Sequence, residues 1–401
     1  MLSVTQAFDK LLATVEPLEA VSLPLSDVLG LTLAEDVSAS EDSPPFDKSL
    51  MDGFAVRAAD VANGFVSLKV VEVVTAGQVP SKSVRPGEAT QIMTGAPVPD
   101  GADLVVKIEE TLPDIDSVHV TTKSVKPGTN ILRRGTSVHT GDVVLKAGMK
   151  LNGSRIGALA ELGRAVVKAH RRPTVAVLAT GDELVPIDQT PGPGQIRNSN
   201  EAMLVALLQA AGAIPIPLGI ARDDRVDLKA KIQQGFQYDM LVLSGGVSAG
   251  TLDLVPSELA IAGVREVFHK VELKPGKPVW FGVRGSTEGT TFVFGLPGNP
   301  VSSLVCCELF VRTAIRRLMG EHPPKPRPMP ATLEHDYSAR ADRPTYHPAK
   351  LMWSPEGAVV KLVPWHGSSD LCGTVAANAM AFLSGEAREY REGDVLEVIP
   401  W

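Results

Sequence analysis

Three short segments could each hold an anionic small molecule. The apolar run Met240-Leu241-Val242-Leu243 leads directly into Ser244-Gly245-Gly246-Val247-Ser248-Ala249-Gly250. Such a run reads as a buried parallel strand. Glycines at its carboxyl end let backbone N–H groups close on a phosphate or a flat polar ring. A second turn, Leu296-Pro297-Gly298-Asn299-Pro300, follows the apolar run from Thr291 to Phe294. A third, Thr180-Gly181-Asp182-Glu183-Leu184, follows the strand-like Val175 to Ala179. Ligands in open parallel sheets bind at this edge.

Charged residues cluster around these turns. Glu183 could coordinate a hard cation or accept from a ligand's amino group, and it could equally be a solvated loop carboxylate. Asp253 follows the first glycine turn. A carboxylate beside a phosphate cradle can hold Mg²⁺, which neutralises phosphate oxygens. Lys270, Lys274 and Lys277 fall within eight residues, interrupted by Pro275, Gly276 and Pro278. A constrained loop of ammonium groups is a seat for an oxyanion or phosphate. Arg222-Asp223-Asp224 adds a carboxylate pair, which spacing alone reads as a turn former. The same reading suits Asp52-Gly53, a tight turn between strands, and Thr94 within Met93-Thr94-Gly95-Ala96-Pro97.

The elements that must carry these residues are legible from periodicity. Positions 4 to 20 show helical spacing, and Val21 to Val37 alternates. Residues 46–146 carry short apolar alternations between Pro-Gly and similar turns, the rhythm of an inserted β-barrel-like module. Helical spacing returns over 147–169, so residues 1–45 and 147–170 form one first domain around the insertion. From 171 to 320 strands alternate with helices, which implies a parallel-rich, three-layer α/β domain. Asn200 is the expected N-cap of a helix ending near Ala211. Asn299 is the expected N-cap of another, from Val301 to Met319, with Pro300 in its first turn. The proline-rich stretch 321–328 is a linker, and 328–401 reads as short strands. The fold class is multidomain α/β plus β.

Bulk properties exclude several functions. The 401 residues require more than one core. Aromatic content of 5% and a net charge of −7 argue against nucleic acid and against an anionic membrane surface. Cys306, Cys307 and Cys372 are too few and odd in number for a disulfide framework, which fits a reducing cytoplasm. Cys306 and Cys307 read as small core residues of a helix. No apolar run is long enough to span a bilayer, and Met1 to Lys10 lacks a secretory pattern.

Six segments occur in order: Met51-Asp52-Gly53-Phe54-Ala55-Val56, Met93-Thr94-Gly95-Ala96-Pro97-Val98-Pro99, Ala179-Thr180-Gly181-Asp182-Glu183-Leu184, Ser244-Gly245-Gly246-Val247-Ser248, Lys274-Pro275-Gly276-Lys277-Pro278 and Gly295-Leu296-Pro297-Gly298-Asn299-Pro300. Together they resemble the molybdopterin molybdenumtransferase family, which includes the E domain of gephyrin. The resemblance implies an elongated helical/β first domain, an inserted β module, a molybdopterin-binding α/β domain and a C-terminal β-barrel. It implies a cytoplasmic homodimer. It implies a Mg²⁺-dependent reaction of small molecules, in which adenylylated molybdopterin and molybdate give molybdenum cofactor and AMP. Other proteins of molybdenum cofactor biosynthesis are implied partners.

On the matching positions, the resemblance implies that Asp52, Thr94, Glu183, Asp253, Lys270 and Lys274 are catalytic, with Glu183 and Asp253 as Mg²⁺ ligands. It implies that Thr180, Gly181, Asp182, Asp223, Asp224, Ser244, Gly245, Gly246, Val247, Ser248, Lys277, Pro297, Gly298, Asn299 and Pro300 bind the substrate. Two departures stand out. Gly135-Thr136-Ser137 follows Arg133-Arg134 where the family often has Gly-x-Asp, and Gly373-Thr374 stands where a serine is common. The α/β domain alone also resembles molybdopterin adenylyltransferases and a domain of some nicotinamide-nucleotide hydrolases. A non-catalytic binding or scaffold protein is a further reading of the same fold.

Overall fold

The computed structural model of the protein describes residues 1–122, 126–247, 254–287, 289–339, 343–385 and 389–401. The chain forms two compact units. The first comprises Met1–Ala34, Gly148–Gly153 and Val166–Trp401; the second comprises Glu35–Ala147 and Ser154–Ala165.

At the centre of the first unit lies a six-stranded sheet. Its order is Ile214–Ala221, Thr174–Thr180, Met240–Ser244, Gly289–Leu296, Trp280–Ser286, Arg265–His269. The first four strands run parallel and the last two pair antiparallel. Strands covered on both faces must be apolar at every position. Accordingly, all of Met240–Ser244 is buried, and Ala176, Leu178, Leu241, Leu243 and Val293 join one core cluster. The helices Ser199–Ala210 and Arg225–Gly235 connect the parallel strands.

Several expected boundaries move. The first helix is Val4–Thr14, opened by a Ser3–Gln6 capping box. It stops short of position 20 because Pro17 disfavours helical backbone at Glu16, and Ala20–Pro24 is a strand. Within 147–169 the helix is only Gly153–Glu161. Val166–His170 instead pairs with Ala20–Pro24 and with Thr32–Leu33; the buried Val167 and Ala169 alternate with exposed neighbours. The Val301–Met319 pattern is a helix interrupted by a π turn over Cys307–Val311. Cys306 and Cys307 are buried there, and burial pushes both thiols upward in pKa, so both are core residues.

The C-terminal part of this unit is a closed barrel in the order Met329–Leu333, Gly357–Leu362, Thr345–Ser354, Ala379–Leu383, Val395–Pro400. Its interior includes Leu333, Leu362, Leu383, Tyr390 and Val398.

The second unit is built on a six-stranded sheet ordered Leu104–Lys107, Gly53–Val56, Glu88–Ile92, Val66–Val74, Ser117–Val120, Thr111–Pro113. The strands at its two ends are consecutive in sequence, joined by the turn Ile108–Glu110. The sheet therefore curls towards closure around Phe54, Leu68, Leu104, Val106 and Val118. Asp52-Gly53 does not close a hairpin. Lys48–Ser49 pairs with Ile131–Leu132, while Gly53–Val56 lies between two other strands.

Candidate active site

Thr174–Thr180 marks the point where strand order reverses. The next strand, Ile214–Ala221, lies on one side of it and the third, Met240–Ser244, on the other. Ligands bind at the carboxyl ends of strands flanking such a point. Thr180 and Ser244 end these two neighbours, with Ala179 opposite Ser244 in register. The Gly245 N–H donates to Leu296 O at 3.0 Å, which docks the first glycine turn beside the second. Gly245 has φ +99°, and a Cβ there would stand 2.6 Å from Thr180 O. Only glycine permits this approach.

Asn200 ties the two turns together. Its Nδ2 donates to Ser244 Oγ at 2.7 Å and to Gly298 O at 2.8 Å. Helix capping falls instead to Asn198, whose Oδ1 accepts from the Glu201 N–H. The expectation for Asn200 is thus corrected: it faces the site, and two asparagines two residues apart concealed which one caps. Its Oδ1, like Thr180 Oγ1, is buried without a partner among the described residues. Val247 is buried beneath the turn. Ser248 and Asp253 lie outside the described residues.

The carboxylates divide by role. Glu183 folds its carboxylate back over Gly181, into the space a side chain there would take. Asp182 Oδ1 accepts from the Asp223 N–H at 3.2 Å, and Arg222 Nη1 donates to the carbonyls of Asp182 and Leu184, each at 3.2 Å. This arrangement joins the first and second strand ends. Asp224 caps the following helix, accepting from Val226 N at 3.1 Å and Asp227 N at 3.0 Å.

The lysine loop is held by the C-terminal barrel. Lys274 N–H donates to Pro344 O, and Tyr346 N–H donates to Lys274 O, both at 2.8 Å. Beside this contact is a cleft of about 800 Å³, lined by Lys274, Lys277, Ser302, Arg343, Trp365 and His366 among others. Pro297 and Asn299 of the second glycine turn also line it. Asn299 occupies the N-cap position of Pro300–Cys306 but makes no side-chain cap. Its Nδ2 donates to Ser368 Oγ at 2.8 Å, and the Val301 N–H donates to Ser368 O at 3.0 Å. Lys270 is not among the cleft-lining residues; it adopts φ +67° and donates its N–H to Val279 O at 3.0 Å. Residue spacing in 328–401 indicates only short strands and does not mark Arg343, Trp365 and His366 as cleft-lining residues. Their approach depends on the pairing of Lys274 with Thr345.

Gly373, one of the departures, packs against Asp370. The Gly373 N–H donates to Asp370 Oδ1 at 2.9 Å. This bond, followed by those from His366, holds the Asp370 carboxyl below its ordinary pKa.

In the second unit, Asp52 and Thr94 are joined through the Thr94 N–H and hydroxyl. These bonds, the backbone one first, hold the Asp52 carboxyl below its ordinary pKa. The arginine pair is engaged locally. Arg133 Nη1 bonds Asp47 Oδ2 at 2.5 Å and Arg134 Nε bonds Asp42 Oδ2 at 2.7 Å. Asp42 is lowered to about 2, chiefly by the Thr140 N–H and then by Arg134.

Comparison with known proteins is consistent along the chain. Residues 2–163 match the MoeA N-terminal region (domain I and II), 176–317 a probable molybdopterin binding domain, and 330–401 the MoeA C-terminal region (domain IV). A molybdopterin molybdenumtransferase of Staphylococcus aureus strain Mu50 is 33% identical over 404 residues, covering 99% of this chain and 94% of that protein. The chain belongs to the molybdopterin molybdenumtransferase family. Another molybdenumtransferase, from Staphylococcus epidermidis, is 32% identical with 99% and 95% covered. A molybdopterin biosynthesis MoeA protein from Pyrococcus horikoshii shares the fold with a TM-score of 0.82, 30% identity, and coverage of 100% and 99%. The molybdenumtransferase architecture thus extends over all three matched regions, closed barrel included.

Proposed function

We propose that the protein inserts molybdenum from molybdate into adenylylated molybdopterin, releasing AMP and forming molybdenum cofactor. Family membership makes it an enzyme of molybdenum cofactor biosynthesis. The observation that carries the detailed reading is the shared segment Pro297–Asn299. It belongs to the glycine turns at the switch point and also lines the lysine cleft. One segment therefore borders a seat for a phosphorylated pterin and a seat for an oxyanion.

In this reading Thr180 and Ser244 to Val247 cradle the pterin and its phosphates. Lys274 and Lys277 gather the dianionic molybdate with Arg343. Ammonium groups fixed at a cleft stabilise the charge that accumulates as AMP leaves. Asp52, oriented by Thr94, supplies a fixed carboxylate. Mg²⁺ usually binds through one or two carboxylates together with substrate phosphates. Glu183, whose carboxylate stands over the Gly181 turn, fits that mode. Glu183 and Asp253 would hold the ion, which would neutralise phosphoanhydride oxygens.

The reading includes a cytoplasmic homodimer and no membrane contact. Among the described residues no helix is long and apolar enough to cross a membrane. The test is incubation of purified protein with adenylylated molybdopterin, Mg²⁺ and molybdate, followed by AMP detection. Molybdate-dependent AMP release that stops on chelation supports the reading. Tight ligand binding without AMP release rejects catalysis.

A further inference from the structure

One buried side chain of the lysine cleft differs in chemistry from its neighbours. Alternate residues of a strand point to opposite faces. Thr345 and His347 line the lysine cleft, and Tyr346 between them lines a separate cavity. Thr345 pairs with Lys274, so His347 sits on the cleft face of its strand, beside the lysine loop. It is only 3% exposed. Its ring stands between Tyr337 and Trp365, both of which line the same cleft, with centroids 5.3 Å from each.

The imidazole is held in one tautomer. Nδ1 lies 2.8 Å from Pro348 O. A carbonyl only accepts, so Nδ1 carries the hydrogen. In the neutral ring Nε2 is then a bare lone pair. It has no hydrogen-bond partner among the described residues, and it is not sealed from solvent as the Trp365 indole nitrogen is. An acceptor thus borders a cleft to which Lys274, Lys277 and Arg343 bring donors.

The surroundings keep the empty site neutral. Burial holds the His347 pKa down, and the Pro348 bond offsets this only in part. The cations of the lysine loop and Arg343 act in the same direction as burial. Tyr337 and Trp365 pack on the ring without charge, and Ala381 lies opposite on the neighbouring strand. His366, at the rim, is paired with Asp370 at 3.0 Å. A dianion entering the cleft reverses this field, because an opposite charge nearby favours the imidazolium.

We propose that His347 is an oxyanion-binding residue that takes up one proton from solvent as a tetrahedral dianion enters the lysine cleft. Protonation turns Nε2 from an acceptor into a charged donor, which matches an anion that presents only acceptors. The inference rests on the placement of molybdate in that cleft.

Molybdate titrations at about pH 6.5 and about pH 8 test it, a window in which lysines stay charged. Uptake of one proton weakens binding by up to about tenfold per pH unit as pH rises. The wild-type dissociation constant should therefore rise at least roughly fivefold across the window. His347→Gln keeps a neutral polar group and cannot be protonated, so its constant should change by less than about twofold. Calorimetry in two buffers of different ionisation enthalpy should show proton uptake in the wild type and in His366→Gln, and none in His347→Gln. Wild-type binding without uptake overturns the inference. So does uptake that persists in His347→Gln or vanishes in His366→Gln. Wild-type protein labelled with ¹⁵N in its imidazoles gives a measurement that does not depend on a variant folding. Saturating molybdate should convert one neutral ring to imidazolium, and no conversion of any ring overturns the inference. The two readings fail separately. If Lys274→Ala and Lys277→Ala leave molybdate affinity unchanged, the placement of molybdate in this cleft is wrong. If they weaken it and binding takes up no proton, only the role of His347 is wrong.

Discussion

Asp52 Oδ1 accepts both the backbone N–H and the hydroxyl of Thr94, each at 2.7 Å. Both bonds favour the carboxylate over the carboxylic acid. With its folded pKa lowered, the stabilising contribution is present above the unfolded value and is lost as pH falls through the folded value. Asp52 is thus ionised throughout the neutral range. Thr94→Val removes the hydroxyl bond and should move the acid limb of the AMP-release profile to higher pH. Asp52→Ala should lower the rate by roughly 10²-fold, within the range for a positioned carboxylate. A Thr94→Val profile that coincides with the wild type excludes this role for the hydroxyl.

Replacing Lys274 or Lys277 with alanine should raise the molybdate KM roughly tenfold, the scale of one charged hydrogen bond. Added salt should raise the wild-type KM as well, because Lys277 is exposed and screening acts on exposed charge. Steady-state AMP release at varied molybdate checks both expectations.

Asn200→Ala removes two bonds that span the glycine turns. The expected result is roughly tenfold weaker binding of adenylylated molybdopterin, with about 1–3 kcal/mol of lost stability. Gly245→Ala should weaken the same ligand by another route. Its methyl would press on the Thr180 carbonyl, at a cost of about 1–3 kcal/mol. Equilibrium binding and denaturant unfolding separate the two effects.

Asp239 fastens the first strand of the α/β sheet. It accepts from Arg171 Nη1 and Nη2, each at 2.7 Å, and from the Thr174 N–H and hydroxyl at 2.8 Å. Desolvation raises its pKa, but the bonds from Arg171 and Thr174 outweigh this, and the net shift is downward. Asp239→Ala should cost about 2–3 kcal/mol. That is below the range for a fully buried pair because the Arg171 side chain is 42% exposed. The wild-type advantage should be full above the ordinary carboxylate value of 3.8 and should fade as pH falls through the lower folded value. Urea unfolding of both proteins across acidic pH tests this.

Local signals carried much of the fold. The glycine turns and the apolar strands before them are contiguous in sequence, and the structure brings Ser244, Gly245 and Gly298 together. Other features depend on partners distant in sequence. Val166–His170 falls within the stretch expected to continue a helix, but it pairs with Ala20–Pro24. Asn198 and Asn200 have the same chemistry, and only the fold around them separates a cap from a cross-link. Trp365 and Arg343 meet the lysine loop through long-range pairing of the barrel, which residue spacing does not encode.

Pro297 and Asn299 line the lysine cleft while Gly298 between them is tied to Asn200 at the glycine turns, and the proposed reaction gives that arrangement a thermodynamic consequence. Any restraint that one substrate places on this short stretch is already in force when the other arrives. By linkage, the factor by which the nucleotide-capped pterin sharpens the grip on molybdate must equal the factor by which molybdate sharpens the grip on the pterin. The two substrates would then report on each other's occupancy through a few atoms of main chain, with no large rearrangement between them.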